Sequence, residues 1–211
     1  MVERGGVHRV LEKPWVYTAF QTAVRRADAS QQMKQALYPE LGERHLRVLD
    51  IGRGPAAFFA RYSDADQFSY VGIEPNASYA RDARARFPYI EVHVGAVPEV
   101  RDRITGSFDL VVLEGVLHHI DDETAIEALA FAAERLTPGG RLVALDPVLL
   151  ERQHPVARAL ARLDRGKHVR SLEGYRALAV GPFPQELVDV SVISGLLRVP
   201  YDQAFLEVVA V

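Results

Sequence analysis

The sequence predicts an α/β fold: a mostly parallel sheet of seven strands with an antiparallel last strand and helices on both faces. Three observations predict it. Short apolar runs alternate with helical segments through the middle of the chain, the pattern of parallel strands joined by crossovers. The first of these runs closes on a glycine turn, Gly52-Arg53-Gly54. Two stretches rich in β-branched residues end the sequence, separated only by Pro200-Tyr201-Asp202-Gln203, which is hairpin spacing.

Taken in order, residues 1–12 are mixed and read as a loose arm. Pro14 suits a first helical position, where its missing N–H is no loss. Val16, Phe20, Val24 and Ala27 then recur at helical spacing. A second short helix covers Gln31–Tyr38, before Pro39. Leu46–Ile51 is a short apolar run and reads as a buried strand, and Pro55–Tyr62 reads as a helix. Phe68–Glu74 is the second strand, and Asn76 is placed to cap a helix through Phe87. Ile90–Val94 is the third strand. Phe108–Leu113 is the fourth, and its run Leu110-Val111-Val112-Leu113 predicts burial on both faces. Asp121 or Asp122 caps a long helix through Leu136, Thr137–Gly140 is a turn, and Arg141–Asp146 is the fifth strand. Val188–Val199 and Ala204–Val211 complete the sheet.

Composition narrows the function. Of 211 residues, 48% are hydrophobic and 25% charged, the balance of a globular domain and not of a disordered chain. Twenty-five Lys and Arg against 28 Asp and Glu leave a net charge of -3, so the chain as a whole does not attract nucleic acid or anionic lipid. With no cysteine, disulfides, thiolate zinc sites and cysteine nucleophiles are excluded. No apolar stretch reaches the roughly 18–20 residues of a membrane span. Charges break the first apolar run, so no signal peptide is read and a cytoplasmic location is expected.

The informative segment is Val48-Leu49-Asp50-Ile51-Gly52-Arg53-Gly54-Pro55-Ala56. A glycine turn between strand and helix brings main-chain N–H groups to a ligand, and the helix start favours negative charge. Gly52, Gly54 and Ala57 also fit the G-x-G-x-x-G/A dinucleotide pattern. Glu74 ends the second strand, where a carboxylate can receive both ribose hydroxyls of an adenosine cofactor. These residues leave NAD and S-adenosylmethionine both open.

Further motifs discriminate. Asp50 stands two residues before the first glycine. The fourth strand ends Leu113-Glu114 and leads to Val116-Leu117-His118-His119-Ile120. Leu136-Thr137-Pro138-Gly139-Gly140-Arg141-Leu142 precedes the fifth strand. From about Arg47 to Asp146 this order resembles the class I S-adenosylmethionine-dependent methyltransferases, in particular small-molecule enzymes of the ubiquinone-biosynthesis-like type. The resemblance continues more weakly to the end of the chain. It implies a Rossmann-like core over 46–211 with a capping insertion at about 150–182, and N-terminal helices over 1–45 acting as a cap or lid.

The resemblance also implies roles. Gly52 and Gly54 let the backbone approach the methionine part of S-adenosylmethionine, and Asp50 orients that loop. Arg53 reaches the cofactor carboxylate or faces solvent. Glu74 binds the ribose, with Pro75 beside the adenine. Gly95 and Ala96 fall where an adenine-binding pair stands, and Glu114 where a main-chain carbonyl meets the cofactor amino group. The chain departs from the pattern twice: the third glycine is Ala56, and Gly95-Ala96-Val97 stands where an acid often holds the adenine amino group.

Methyl transfer from a sulfonium needs position more than chemistry from the protein. A base is required only when the acceptor must lose a proton. His118 and His119 are the catalytic candidates, not separable by sequence. No metal site is expected, because adjacent residues ordinarily point apart. The Arg152–Arg170 segment carries six cations against Asp164, with Arg158, Arg162 and Arg165 on one helix face opposite Val156, Leu160 and Leu163. Arg170 is the candidate for an anionic group on the acceptor. Tyr17 and Gln21 are pocket candidates on the first helix.

The expected activity is methyl transfer from S-adenosylmethionine to a small molecule at O, N or C. The competing readings are an NAD-dependent oxidoreductase and a cofactor-binding regulatory or degenerate module. Nucleic-acid methylation is disfavoured, since Leu113-Glu114-Gly115-Val116 replaces the Asn/Asp-Pro-Pro-Tyr type of motif. The missing cysteine also excludes cytosine C5 attack through a thiolate and iron–sulfur radical chemistry.

Overall fold

The structure is a computed structural model that describes residues 44–52, 54, 68–164, 166–195 and 200–211. The expected helices before residue 40 and at 55–62, with Tyr17, Gln21, Arg53, Ala56, Ala57 and Arg165, lie outside the described residues.

The seven strands are β1 (Leu46–Ile51), β2 (Phe68–Glu74), β3 (Glu91–Val94), β4 (Phe108–Glu114), β5 (Leu136–Pro147), β6 (Val188–Ile193) and β7 (Gln203–Val209). They form one sheet in the order β3-β2-β1-β4-β5-β7-β6. β1 pairs parallel with β2 and β4, β2 with β3, and β4 with β5. β7 runs antiparallel between β5 and β6. The hairpin therefore folds back so that the last strand enters the sheet next to β5 and leaves β6 at the edge.

Alternation explains why the central strands carry continuous apolar runs. Leu46, Val48, Leu110, Val112, Val143 and Leu145 pack on one face with Phe68, Tyr70 and Phe205. Leu49, Ile51, Val111, Leu113, Leu142 and Ala144 face the other side. Successive side chains of a strand point to opposite faces, so burial of both faces favours apolar residues at consecutive positions, and the acids Asp50 and Asp146 stand at the carboxyl ends of β1 and β5. Edge strand β6 reverts to partial exposure.

The helices are α1 (Ala77–Arg86), α2 (Val97–Val100), α3 (Asp122–Arg135), α4 (Pro155–Arg162) and α5 (Leu172–Ala179). The Asn76 side chain caps α1 by accepting from Ser78 and Tyr79 N–H, as its residue type predicts. Between the two candidates for α3, the cap is Asp121, which accepts from Thr124 N–H at 2.9 Å. Asp122 and Glu123 then occupy the first turn, where negative charge is favoured.

Three expectations are corrected. Thr137–Gly140 is not a separate turn, because β5 starts at Leu136, directly after α3. The register shifts between Phe108 and Leu110, and Gly139 takes φ 74. Gly139 N–H and Gly140 C=O bond Ala210, so the segment pairs despite its composition. β6 stops at Ile193, short of the expected Val199, with residues 196–199 outside the described set. On α4 the buried residues are Ala157 and Ala161, while Val156 and Leu163 are exposed. Arg158 turns inward to donate to the carbonyls of Leu150 and Glu151. Filling backbone acceptors outweighs the apolar stripe that periodicity suggests.

Candidate active site

Strand order reverses between β1 and β4, and ligands of open α/β sheets bind beyond the carboxyl ends of strands at that point. The turns after β1 and β4 meet there. Gly52 takes φ 70, and a Cβ on it would stand 2.7 Å from Cγ2 of Val116 in the β4 turn. A side chain is excluded both by backbone conformation and by that neighbour. Gly54 also has positive φ, but a Cβ there would meet nothing within 4 Å. That absence of neighbours holds among the described residues.

The ends of β1 and β2 carry the acids. Glu74 is buried, and its Oε2 accepts from Gly54 N–H at 2.7 Å while Oε1 accepts from Asn76 N–H at 2.7 Å. Its main-chain carbonyl accepts from Gly95 N–H at 3.1 Å. Asp50, also buried, accepts a hydrogen bond from the Tyr70 hydroxyl. Tyr70 lies on the neighbouring strand, opposite Val48.

The other expected cofactor residues distribute around the same strand ends. Pro75 is exposed after Glu74. Gly95 is buried with φ 141. Ala96 donates its N–H to Oε2 of Glu99 at 2.7 Å, so that donor is already engaged within α2. Glu114 is half-buried at the end of β4, opposite Leu145, and Gly115 then turns the chain with φ 68.

The histidines occupy a 3-10 turn, Leu117–His119. The structure separates them and overturns the expectation that neighbours point apart: their ring centroids are 3.9 Å apart at 40°. His118 is buried and His119 exposed. His118 Nδ1 lies 2.6 Å from Asp146 Oδ1, which also accepts from His118 N–H at 3.1 Å. On its other side, His118 Nε2 lies 3.2 Å from Asp164 Oδ1. Burial opposes charge on this imidazole, but the hydrogen bonds and fields of Asp146 and Asp164 outweigh it, raising its pKa from 6.5 to about 9. Although burial raises its carboxyl, Asp164 is held well below the ordinary carboxylate range by His118, Gly166 N–H and the Tyr201 hydroxyl. Burial and the Asp164 charge push the Tyr201 hydroxyl far above its usual value. A buried imidazole that stays protonated is a poor proton acceptor, whereas His119 is exposed.

Arg170, the candidate for an anionic group on the acceptor, is engaged within the chain. Its Nε and Nη2 donate to Asp122 at 2.9 and 2.6 Å. Nη1 donates to Leu117 C=O at 2.6 Å and His168 C=O at 2.9 Å, and Nη2 also donates to Ile120 C=O at 2.9 Å. Every guanidinium nitrogen thus serves a protein acceptor, and the residue ties the insertion to the histidine turn.

Sequence reasoning missed Asp146, Asp164 and Gly166. The signals were there: an acid inside an otherwise apolar strand, a lone acid in a basic insertion, and a glycine two residues later. A Cβ on Gly166 would collide with the His118 ring and carbonyl. His168 N–H donates to that carbonyl at 3.0 Å. Only glycine lets the insertion approach this closely.

A family model described as a methyltransferase domain matches residues 23–179. An uncharacterized methyltransferase of Alkaliphilus oremlandii is 25% identical over 166 residues, covering 77% of this chain and 69% of that protein. Among solved structures, the plantazolicin methyltransferase BamL, in complex with a triazolic desmethylPZN analog and SAH, superposes with a TM-score of 0.67 at 12% identity, covering 94% of this chain and 90% of BamL. The mitomycin 7-O-methyltransferase MmcR gives 0.63 at 22% identity, covering 87% of this chain but 53% of that one. The chain likewise spans about half the length of other solved methyltransferases it resembles. At these identities the structural likenesses establish the fold.

Proposed function

The chain belongs to the methyltransferase domain family, and from that premise we propose that it transfers a methyl group from S-adenosylmethionine to a small-molecule acceptor. The observation that carries this reading is the closure of the glycine turn by Glu74, whose carboxylate accepts the Gly54 N–H. A carboxylate has roughly four acceptor sites, so holding two N–H groups is compatible with receiving ribose hydroxyls. The positive φ of Gly52 and Gly54 suits a turn that needs close backbone approach to a ligand. The antiparallel β7 between β5 and β6 speaks against the six-stranded parallel dinucleotide domain.

Bound there, the cofactor supplies an electrophilic methyl group on sulfur. The chain's own role is placement. We assign Gly52, Arg53 and Gly54 to the methionine part of the cofactor, Asp50 to orienting that turn, and the carbonyl of Glu114 to the cofactor amino group. Glu74 and Pro75 flank the ribose and adenine, and Gly95 and Ala96 border the adenine. His119 is the group we assign to the acceptor. Tyr17 and Gln21 remain candidates for acceptor contact, and the N-terminal segment and the 150–182 insertion are the elements proposed to cover it. Arg170 orders the floor of that space instead of pairing with the acceptor.

Calorimetric titration with S-adenosylhomocysteine and with NAD tests the reading. Binding of S-adenosylhomocysteine alone supports it, and binding of NAD alone overturns it. Cofactor binding with no transfer to any of a broad acceptor panel would favour a regulatory module. His119→Ala should lower kcat by about 100-fold with the cofactor Kd unchanged, the scale of losing a group that assists proton removal.

A further inference from the structure

We propose that His118, His119 and Asp164 hold a divalent transition-metal ion of the zinc type, and that an oxygen of the methyl acceptor completes its coordination. The ion's site stands on geometry alone. Its role toward the acceptor rests on the methyl-transfer reading above.

Among the described residues these three form a group whose donor atoms, one from each, all lie within 4.8 Å of one another. Metal–nitrogen and metal–oxygen bonds of about 2.0–2.2 Å place donors roughly 3.3 Å apart around a tetrahedral ion. His118 Nε2 and Asp164 Oδ1 already stand 3.2 Å apart. The 3-10 turn brings the second imidazole beside the first, with 3.9 Å between centroids. The ion would occupy the place between Nε2 and Oδ1 and draw the His119 ring nitrogen in by up to about 1.5 Å.

An independent observation concerns the far side of His118. Metal-bound histidines almost always give their other ring nitrogen to a carboxylate or carbonyl, which fixes the tautomer and ring orientation. Asp146 does this at 2.6 Å and also fixes the His118 main-chain N–H. Asp146 is fully buried, and its Oδ2 has no hydrogen-bond partner among the described residues, so a carboxylate is kept there at a cost. Asp164 is likewise oriented, with Gly166 N–H on Oδ1 at 2.8 Å and the Tyr201 hydroxyl on Oδ2 at 2.9 Å. Gly166 supplies the clearance that lets the insertion deliver Asp164 to the turn.

Two imidazoles and one carboxylate suit zinc or a neighbouring transition ion better than magnesium, which prefers oxygen and water. Three protein ligands leave a position open, as catalytic sites do. An acceptor hydroxyl bound there becomes more acidic. Its proton passes to solvent, and the oxygen–methyl bond forms as the methyl–sulfur bond breaks, leaving a thioether. Hydroxyl acceptors are thereby favoured over amines and carbon. His119 then acts by holding the ion.

The test uses the full chain stripped with chelator and titrated calorimetrically with Zn2+ alone, then with Mn2+ followed by electron paramagnetic resonance. One Zn2+ per chain at micromolar or tighter Kd is expected. His119→Asn and Asp164→Asn should weaken it about 100-fold, and Asp146→Asn about 10–100-fold. Circular dichroism and S-adenosylhomocysteine binding check that each variant is folded. If a variant is not folded, chemical shifts of the imidazole nuclei in the wild-type chain, with and without Zn2+, decide the matter. No binding at millimolar ion, binding unchanged in all three folded variants, or unshifted imidazole signals would each overturn the proposal. Since S-adenosylhomocysteine binding is measured separately, failure of the metal site and failure of the methyltransferase reading are told apart.

Discussion

The carboxylate of Glu74 caps the main-chain N–H of Gly54 at 2.7 Å, so the tip of β2 closes the glycine turn that follows β1. The same side chain spans to Asn76 N–H at the start of α1. Hydrogen bonds to a charged group contribute about 1.5–3 kcal/mol each. Glu74→Gln should therefore weaken S-adenosylhomocysteine binding by at least about tenfold in a calorimetric titration, while far-ultraviolet circular dichroism stays unchanged.

Gly52→Ala combines two costs, a left-handed φ of 70 and a Cβ 2.7 Å from Val116. Left-handed backbone in a residue other than glycine costs about 1–3 kcal/mol. Denaturant unfolding should show a loss in that range or above, with cofactor affinity falling in parallel. Adding Val116→Ala removes the collision but not the dihedral strain, so rescue should be partial. Complete rescue would place the whole cost in the collision.

Tyr70→Phe deletes the hydroxyl donor to buried Asp50. Losing one donor to a buried carboxylate costs about 1–3 kcal/mol. The variant should unfold at lower denaturant and, on the proposal that Asp50 orients the glycine turn, bind the cofactor more weakly. Unchanged cofactor affinity would confine Asp50 to stability.

Arg170→Ala leaves the carbonyls of Leu117, Ile120 and His168 without this donor. A loss of about 1–3 kcal/mol, or roughly 3–8 °C in Tm, is expected for this partly buried network. Once an acceptor is known, its KM at a temperature where the variant is folded should change little. A large rise in KM without loss of Tm would return Arg170 to acceptor binding.

His118 gives a pH signature in chelator-treated protein. Its folded pKa, about 9, lies above the 6.5 of the unfolded chain, so the native state binds the proton more tightly. The stabilisation is complete below pH 6.5 and is lost as pH rises through 9. It amounts to about 3 kcal/mol. Chemical denaturation across this range should show the decline, and His118→Gln should flatten it.

Much of the fold was legible because its signals are local and repeated. Strands buried on both faces are continuous apolar runs, and Asn76 and Asp121 mark helix starts by side-chain chemistry. Boundaries failed where tertiary pairing overrode local composition: Thr137–Gly140 reads as a turn but pairs within the sheet. Around the site, the glycine turn and Glu74 were legible because close backbone approach demands glycine. The partners of His118 were not. Asp146 and Asp164 lie 28 and 46 residues further on, and only the assembled sheet brings them to either side of one ring. Arg158 was misplaced for the same reason, since a spacing pattern cannot tell a guanidinium facing solvent from one spent on carbonyls.

The Arg170 tie has a mechanical consequence. One side chain grips carbonyls on both sides of the boundary between the histidine turn and the insertion. The two segments therefore cannot separate contact by contact. Any opening that lifts the insertion must break the whole set together or carry the histidines with it. Amide hydrogens over 117–120 and 168–170 would then exchange as a single cooperative unit.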